Sequence, residues 1–334
     1  MVDSLIGIES TAHTFSASVV TSSGRILSDV RDVYRAPAGG GIHPIEASSQ
    51  HMANAPGVLR EALLEAGIPI KSIRAVSYSM GPGLGPCLRV GAVAARSLAA
   101  TLVKRIVPVN HAIGHIELGC LLTRTKDPLV LLVSGGHSMV VAFSGNRWRI
   151  LGESLDLTLG QLIDQFGRHA GLASPCGTKV EEAASKSAKY IELPYTVKGN
   201  DVSYSGILTA AKNLLDRGVA FEDVCFSLQE TAFAMIVEVT ERALAFTEKK
   251  EVMVVGGVAA NLRLSEMLKT MVRRHSASFR AVPPRYSGDC GAQIAWAGWL
   301  EYNTGNSIAI VDATTRQSWR LDSVDAKWRD ARRS

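Results

Sequence analysis

The feature that most constrains this chain is an internal repeat. The run from Leu5 to Leu27, with Glu9-Ser-Thr-Ala-His-Thr at its first reversal, is echoed from Leu129 to Leu151, with Ser134-Gly-Gly-His-Ser at the matching place. Both copies read strand, small polar turn, strand, glycine turn, strand. Ser23-Gly24 and Ser144-Gly145-Asn146 supply the second reversals. Each copy is followed by helical sequence and later by another strand, Arg74 to Met80 in the first half and Glu251 to Gly257 in the second. A duplicated β-meander with trailing helices predicts two related α/β lobes, and 334 residues suffice for two such cores.

Two meanders whose tight turns face each other across a cleft are the arrangement of the actin, sugar kinase and heat-shock ATPase fold. That fold clamps nucleotide phosphates between its hairpins. Lys126-Asp127-Pro128 is the expected joint. A last helix, about Cys290 to Tyr302, is expected to cross back to the first lobe. The predicted lobes are therefore 1–127 plus about 288–334, and 128–287. Composition is globular, with 46% hydrophobic and 20% charged residues, and no apolar run reaches the roughly 18 residues a membrane span needs. The N-terminus lacks a basic start and cleavage site, which predicts a cytoplasmic protein. Five scattered cysteines suggest neither disulfides nor a thiolate zinc site. A net charge of +5 suits a phosphate-rich partner without requiring one.

The sharpest chemical signal is Asn110-His-Ala-Ile-Gly-His-Ile-Glu117. Apolar Ala112, Ile113 and Ile116 favour a helix that puts His111 and His115 on one face, a spacing suited to one metal ion. Satisfied or surface histidines give the same spacing. A metalloprotease is disfavoured, because the H-E-x-x-H motif needs glutamate where this chain has Ala112. Asp289, at a loop-to-helix junction, offers a third ligand, or else an N-cap. Two imidazoles and one carboxylate leave coordination positions open, as a catalytic site requires.

Other segments suit a nucleotide. In Ser134-Gly135-Gly136-His137-Ser138 the glycines let backbone amides approach oxyanions and Ser138 adds a hydroxyl, although Gly-Gly also serves ordinary turns. Gly81 to Gly91 is a second glycine-rich strand-to-helix junction, with Arg89 available to an anion but without the P-loop ending. Val254 to Asn261 ends a buried strand in Gly256-Gly257, against which a base could lie, with Asn261 offering donor and acceptor. Asp164, and Glu181 in the segment that also holds Gly177, could accept from ribose hydroxyls; alternatively they are solvated acids.

In this order the motifs resemble the TsaD family of tRNA threonylcarbamoyladenosine transferases, in particular the archaeal and eukaryotic branch working inside the KEOPS complex. The likeness runs from Gly7 to about Trp328 and includes Ser79 to Val90, Val109 to Glu117, Val133 to Gly136, Leu193 to Gly199, Phe226 to Met235 and Gly256 to Asn261. The resemblance implies that His111, His115 and Asp289 hold Fe(2+), with Zn(2+) as the alternative. It further implies that Ser134, Gly135 and Gly136 meet phosphate and that Asp164, Gly177, Glu181 and Asn261 contact the nucleoside. This chain departs from the family pattern at Leu132, His137 and Cys290, where tyrosine, asparagine and asparagine are usual. Leu132 cannot ligate; His137 and Cys290 could.

The implied reaction moves threonylcarbamoyl from threonylcarbamoyl-AMP to the N6 amine of adenosine 37 in tRNAs reading ANN codons. ATP is the other adenine nucleotide such a cleft would take. His13, in the first turn, is the candidate base for the amine proton. Implied partners are tRNA, the KEOPS kinase subunit and the other KEOPS subunits. Rival readings are a non-catalytic nucleotide-binding KEOPS subunit and a small-molecule kinase of the same fold. The short basic pairs Lys104-Arg105, Arg273-Arg274 and Arg332-Arg333 read as solvated surface.

Overall fold

The computed structural model describes residues 2–37 and 39–332; Arg333, half of the third basic pair, lies outside them. The first sheet holds β1 (Ser4–Glu9), β2 (Thr14–Thr21), β3 (Val30–Val33), β4 (Ile73–Gly81) and β5 (Arg105–Asn110), in the order β3-β2-β1-β4-β5. Helices α1 (Pro44–Ala66), α2 (Gly85–Leu102) and α3 (His111–Thr123) belong to this half of the sequence. The second sheet holds β6 (Leu129–Val133), β7 (Ser138–Ser144), β8 (Arg147–Glu153), β11 (Glu251–Val255) and β12 (Ser278–Ala281). A two-stranded hairpin of β9 (Val197–Lys198) and β10 (Asp201–Val202) stands apart. The order β12-β11-β6-β7-β8 repeats that of the first sheet. Strand directions repeat too: the first strand of each half runs antiparallel to the next and parallel to the strand arriving after the helices. The duplication read in the sequence is a duplication of topology.

Physical chemistry explains the pairing. β1 and β6 are buried along their whole length, as central strands covered on both faces must be. The β7–β8 turn places Gly145 at φ 57° and Asn146 at φ 61°, the left-handed pair that a two-residue hairpin loop demands. Over the second sheet lie α4 (Leu159–His169), α5 (Gly177–Ala184), α6 (Ser205–Asp216), α7 (Phe221–Thr247) and α8 (Leu262–Arg274). Their apolar faces share one core with Leu131, Val140 and Val254.

α3 is different. Every residue from His111 to Cys120 is buried, so the helix has no solvent face. It packs between the sheets, and a single apolar cluster runs from Val107 through Ile116 to Leu132, Val255 and Trp296. Asn110 starts it, its Oδ1 accepting from the amides of Ala112 at 3.0 Å and Ile113 at 3.2 Å.

α9 (Gly291–Asn303) returns to the first sheet and packs on β1, β2, β4 and β5. The approach is so close that a Cβ on Gly7 would sit 2.1 Å from the Ala295 amide nitrogen. Beyond α9 the chain bridges Ile308 to Ile106 and donates the Arg316 amide to Met80 at 2.7 Å. It then crosses to the second sheet, where the Ala326 amide meets the Asn146 carbonyl at 2.8 Å. The five cysteines are buried and unbridged, and among the described residues no helix is long and apolar enough to cross a membrane.

Candidate metal and nucleotide site

The α3 backbone puts His111 and His115 one turn apart, with ring centroids 4.7 Å apart and planes nearly perpendicular. Asp289 comes from the loop before α9. Its Oδ1 lies 3.2 Å from His115 Nε2 and 3.5 Å from His111 Nε2. One donor atom from each of the three lies within 4.8 Å of the others. Asp289 does not cap α9: Cys290 holds the N-cap position and makes no side-chain capping bond. Its carboxylate is turned to the imidazoles instead.

Glu9, at the end of β1, is fully buried, and its Oε2 accepts from His111 Nδ1 at 2.8 Å while its Oε1 accepts from the Thr11 amide at 2.6 Å. That bond fixes the tautomer and frees His111 Nε2 to face Asp289, the carboxylate-to-imidazole support typical of metal-ligating histidines. Sequence reasoning missed Glu9; its signal is an acid closing a strand that is otherwise apolar. Burial opposes charge on His111, but Glu9 and Asp289 outweigh it and raise its pKa to about 9. Burial would also raise Asp289, yet His111 and the bond from His115 hold its carboxyl well below the usual range. His115 is driven down by burial. Two imidazoles, one ionised carboxylate and a buried acid behind them match the donor chemistry of a divalent-metal centre.

Leu132 and Cys290 are core residues. Leu132 is fully buried between the sheets, and the Cys290 sulfur sits 3.8 Å from Gln293 Oε1 with its thiol pushed up to about 12 by burial. His137 is otherwise placed. Its ring stacks toward His111 at 6.1 Å, and its Nδ1 is buried without a hydrogen-bond partner. Burial and the nearby His111 and His115 push its pKa down to about 3, so it is a neutral imidazole.

The turn before it is open: Gly135 and Gly136 are exposed, with no atom within 4 Å of the Cβ each lacks. Ser134 Oγ accepts from the Gly136 amide at 3.2 Å and the His137 amide at 3.0 Å, so it shapes the turn. The Ser138 hydroxyl expected to face an anion is instead buried and accepts from the Leu159 amide at 2.6 Å, starting α4. Arg89 is exposed near the start of α2. His13 lies in the β1–β2 turn and is half-buried.

The four residues assigned to the nucleoside form one linked region of the second lobe. Asp164 Oδ1 accepts from the Ser174 hydroxyl at 2.8 Å and the Cys176 amide at 3.1 Å, which sets the entry to α5 at exposed Gly177. Glu181 Oε1 accepts from the Leu262 amide at 2.7 Å. Asn261 caps α8, accepting from the Leu264 amide at 3.0 Å and donating to Gln229 Oε1 at 2.9 Å. Gly256, at φ 96°, brings this region against Val133 and the glycine turn.

The sequence profile described as TsaD, tRNA N6-adenosine threonylcarbamoyltransferase, matches residues 25–296. The chain belongs to the TsaD family. A Thermofilum pendens relative named tRNA N6-adenosine threonylcarbamoyltransferase is 49% identical over 97% of each chain. A Methanothermobacter thermautotrophicus relative, named as a bifunctional tRNA threonylcarbamoyladenosine biosynthesis protein, is also 49% identical over 97% of this chain. This chain spans only 60% of that relative's length. Among solved structures, HypF of T. kodakarensis aligns over 91% of this chain and 48% of its own, with a TM-score of 0.63 and 14% identity. The dehydratase component A of Acidaminococcus fermentans aligns over 89% and 98%, with a TM-score of 0.56 and 12% identity. At that identity the likeness is one of fold, the actin-like ATPase fold of two duplicated lobes.

Proposed function

We propose that this TsaD chain transfers the threonylcarbamoyl group from threonylcarbamoyl-AMP to the N6 amine of adenosine 37 in tRNAs that read ANN codons. The observation that carries the reading is the buried His111, His115 and Asp289 triad, braced by Glu9, beside the open Gly135-Gly136 turn. The working unit is two lobes, 1–127 with about 288–334, and 128–287. The AMP half lies along Asp164, Gly177, Glu181 and Asn261, where Glu181 keeps acceptor capacity for a ribose hydroxyl beyond its one backbone bond. The exposed Gly135-Gly136 turn meets the phosphate.

His111, His115 and Asp289 would hold Fe(2+), or Zn(2+) in its place; such an ion polarises oxygen and orients its ligand, worth several kcal/mol of charge stabilisation. Asp289 stays ionised and Glu9 holds the His111 tautomer, so the chain supplies a preorganised donor set. The adenosine amine attacks the carbamoyl carbon, the N–C bond forms and the C–O bond to AMP breaks. The amine proton must leave, and His13, in the first turn, is the base assigned to take it. tRNA reaches the site in the cytoplasm with the KEOPS kinase subunit and the other KEOPS subunits, a reading supported by the bifunctional name of the longer relative.

The test supplies the purified chain and its partner subunits with tRNA and with threonylcarbamoyl-AMP labelled in its threonine. Native chain should label the tRNA, and His111→Ala with His115→Ala should abolish labelling while the far-UV spectrum is kept. Normal labelling by the double variant would end the metal reading. No labelling by native chain would favour a non-catalytic subunit.

A further inference from the structure

We propose that His137 is a fourth donor to this metal, supplied from the second lobe, so that one ion ties the Gly135-Gly136 turn to α3. The inference rests on the metal reading of the triad. Three observations carry it. The triad's donors all come from the first-lobe side, two from α3 and one from the loop before α9, and three donors leave room for a fourth and, on a five- or six-coordinate ion, for a substrate oxygen as well. His137, in the turn between β6 and β7, lies beside them, its ring centroid 6.1 Å from that of His111 and its plane inclined 24° to it. Its Nδ1 is buried without a hydrogen-bond partner, an arrangement that native proteins rarely tolerate without a ligand or water. The neighbouring departures cannot compete, because Leu132 has no donor and the Cys290 sulfur faces Gln293.

His137 stands outside the group whose donor atoms lie within 4.8 Å of one another, so ligation must draw the turn inward. The turn has room at its tip, where nothing lies within 4 Å of the Cβ that Gly135 and Gly136 lack, while its base is held by the Ser134 side chain, by the Ser134 amide on the His137 carbonyl at 2.7 Å and by Thr158 Oγ1 on the Gly135 carbonyl at 3.0 Å. Metal and phosphate would then be bound cooperatively, since the same turn holds both.

The experiment measures Zn(2+) affinity by competition with a chromophoric chelator, the visible absorption of the Co(2+) form, and hydrogen exchange across 134–138 with and without Zn(2+). Variants are His137→Ala and His137→Asn, with His115→Ala and His169→Ala for comparison; His169 is bonded to Asp216 away from the triad. Native chain should bind one ion, protect 134–138 on binding, and show strong four-coordinate Co(2+) bands. Both His137 variants should lose tenfold or more in affinity, weaken those bands and lose the metal-dependent protection, with His169→Ala unchanged. Native affinity, unaltered bands and retained protection in both His137 variants, while His115→Ala abolishes binding, would overturn the His137 assignment alone. If native chain binds no ion, or His115→Ala binds as native does, the triad reading itself falls.

Discussion

Arg329 offers a direct measure of what holds the α3 helix. Its Nε and Nη2 donate to the two oxygens of Glu117 at 2.6 and 3.1 Å, and its Nη1 donates to the Lys126 carbonyl at 3.2 Å. Its guanidinium lies 4.2 Å from the Trp148 ring centroid. Both partners are buried, Glu117 completely. Arg329→Met keeps an apolar stem but leaves the Glu117 carboxylate with a single 3.4 Å bond from Trp148 Nε1. An uncompensated buried charge of this kind costs about 3–5 kcal/mol. With an unfolding entropy of about 2.1 cal/mol/K per residue, a chain of this length has roughly 0.7 kcal/mol/K, so Tm should fall by about 4–7 °C. Adding Glu117→Gln removes the stranded charge while keeping an acceptor for Trp148, and should restore more than half the loss. Scanning calorimetry of the two single variants and the double variant gives the answer. A loss below about 1 kcal/mol for Arg329→Met, or a double variant no better than the single, would refute the view that the ion pair is a buried clamp.

Three further outcomes follow from the geometry. Glu301 is buried and its carboxyl is raised from 4.5 to about 7 by that burial. A raised acid favours the native state only below the unfolded pKa, so native chain should lose about 3 kcal/mol relative to Glu301→Gln as pH rises from 4.5 through 7; parallel urea-unfolding curves for the two proteins would contradict this. Glu9→Ala removes the brace on His111 Nδ1 and should weaken Zn(2+) binding by about 10–100-fold in a chelator competition, with an unchanged affinity counting against the support role. Gly7→Val forces β1 and α9 apart, since even a Cβ would lie 2.1 Å from Ala295 nitrogen, and should destabilise by about 3 kcal/mol or more in calorimetry; a native Tm would disprove the close packing.

The architecture was legible because both of its signals are local. The repeated meander sets two sheets of identical order, and the i, i+4 spacing of His111 and His115 sets their shared face once the helix forms. Asp289 was legible as a candidate only, since the same position suits an N-cap; the structure shows the cap position passing to Cys290. What sequence hid is adjacency across long separations. Glu9 meets His111 across 102 residues and Arg329 meets Glu117 across 212, and nothing in either segment announces the other. Side chains that can either bind or build were hidden for another reason. Ser138 has the chemistry expected of a ligand contact, but the orphan amide at the start of α4 engages it.

The return of α9 to the first sheet also bears on how the chain is made. During synthesis β1 to β5 emerge well before the helix that covers their inner face, with Ala295 against Gly7, because the whole second sheet lies between them in the sequence. The second sheet and α4 to α8 form a contiguous stretch that can close its own core while the ribosome is still reading. The N-terminal half must wait with an uncovered apolar surface. Folding therefore finishes in the half that was begun first, and a ribosome stalled before residue 290 would present that surface to chaperones rather than a finished lobe.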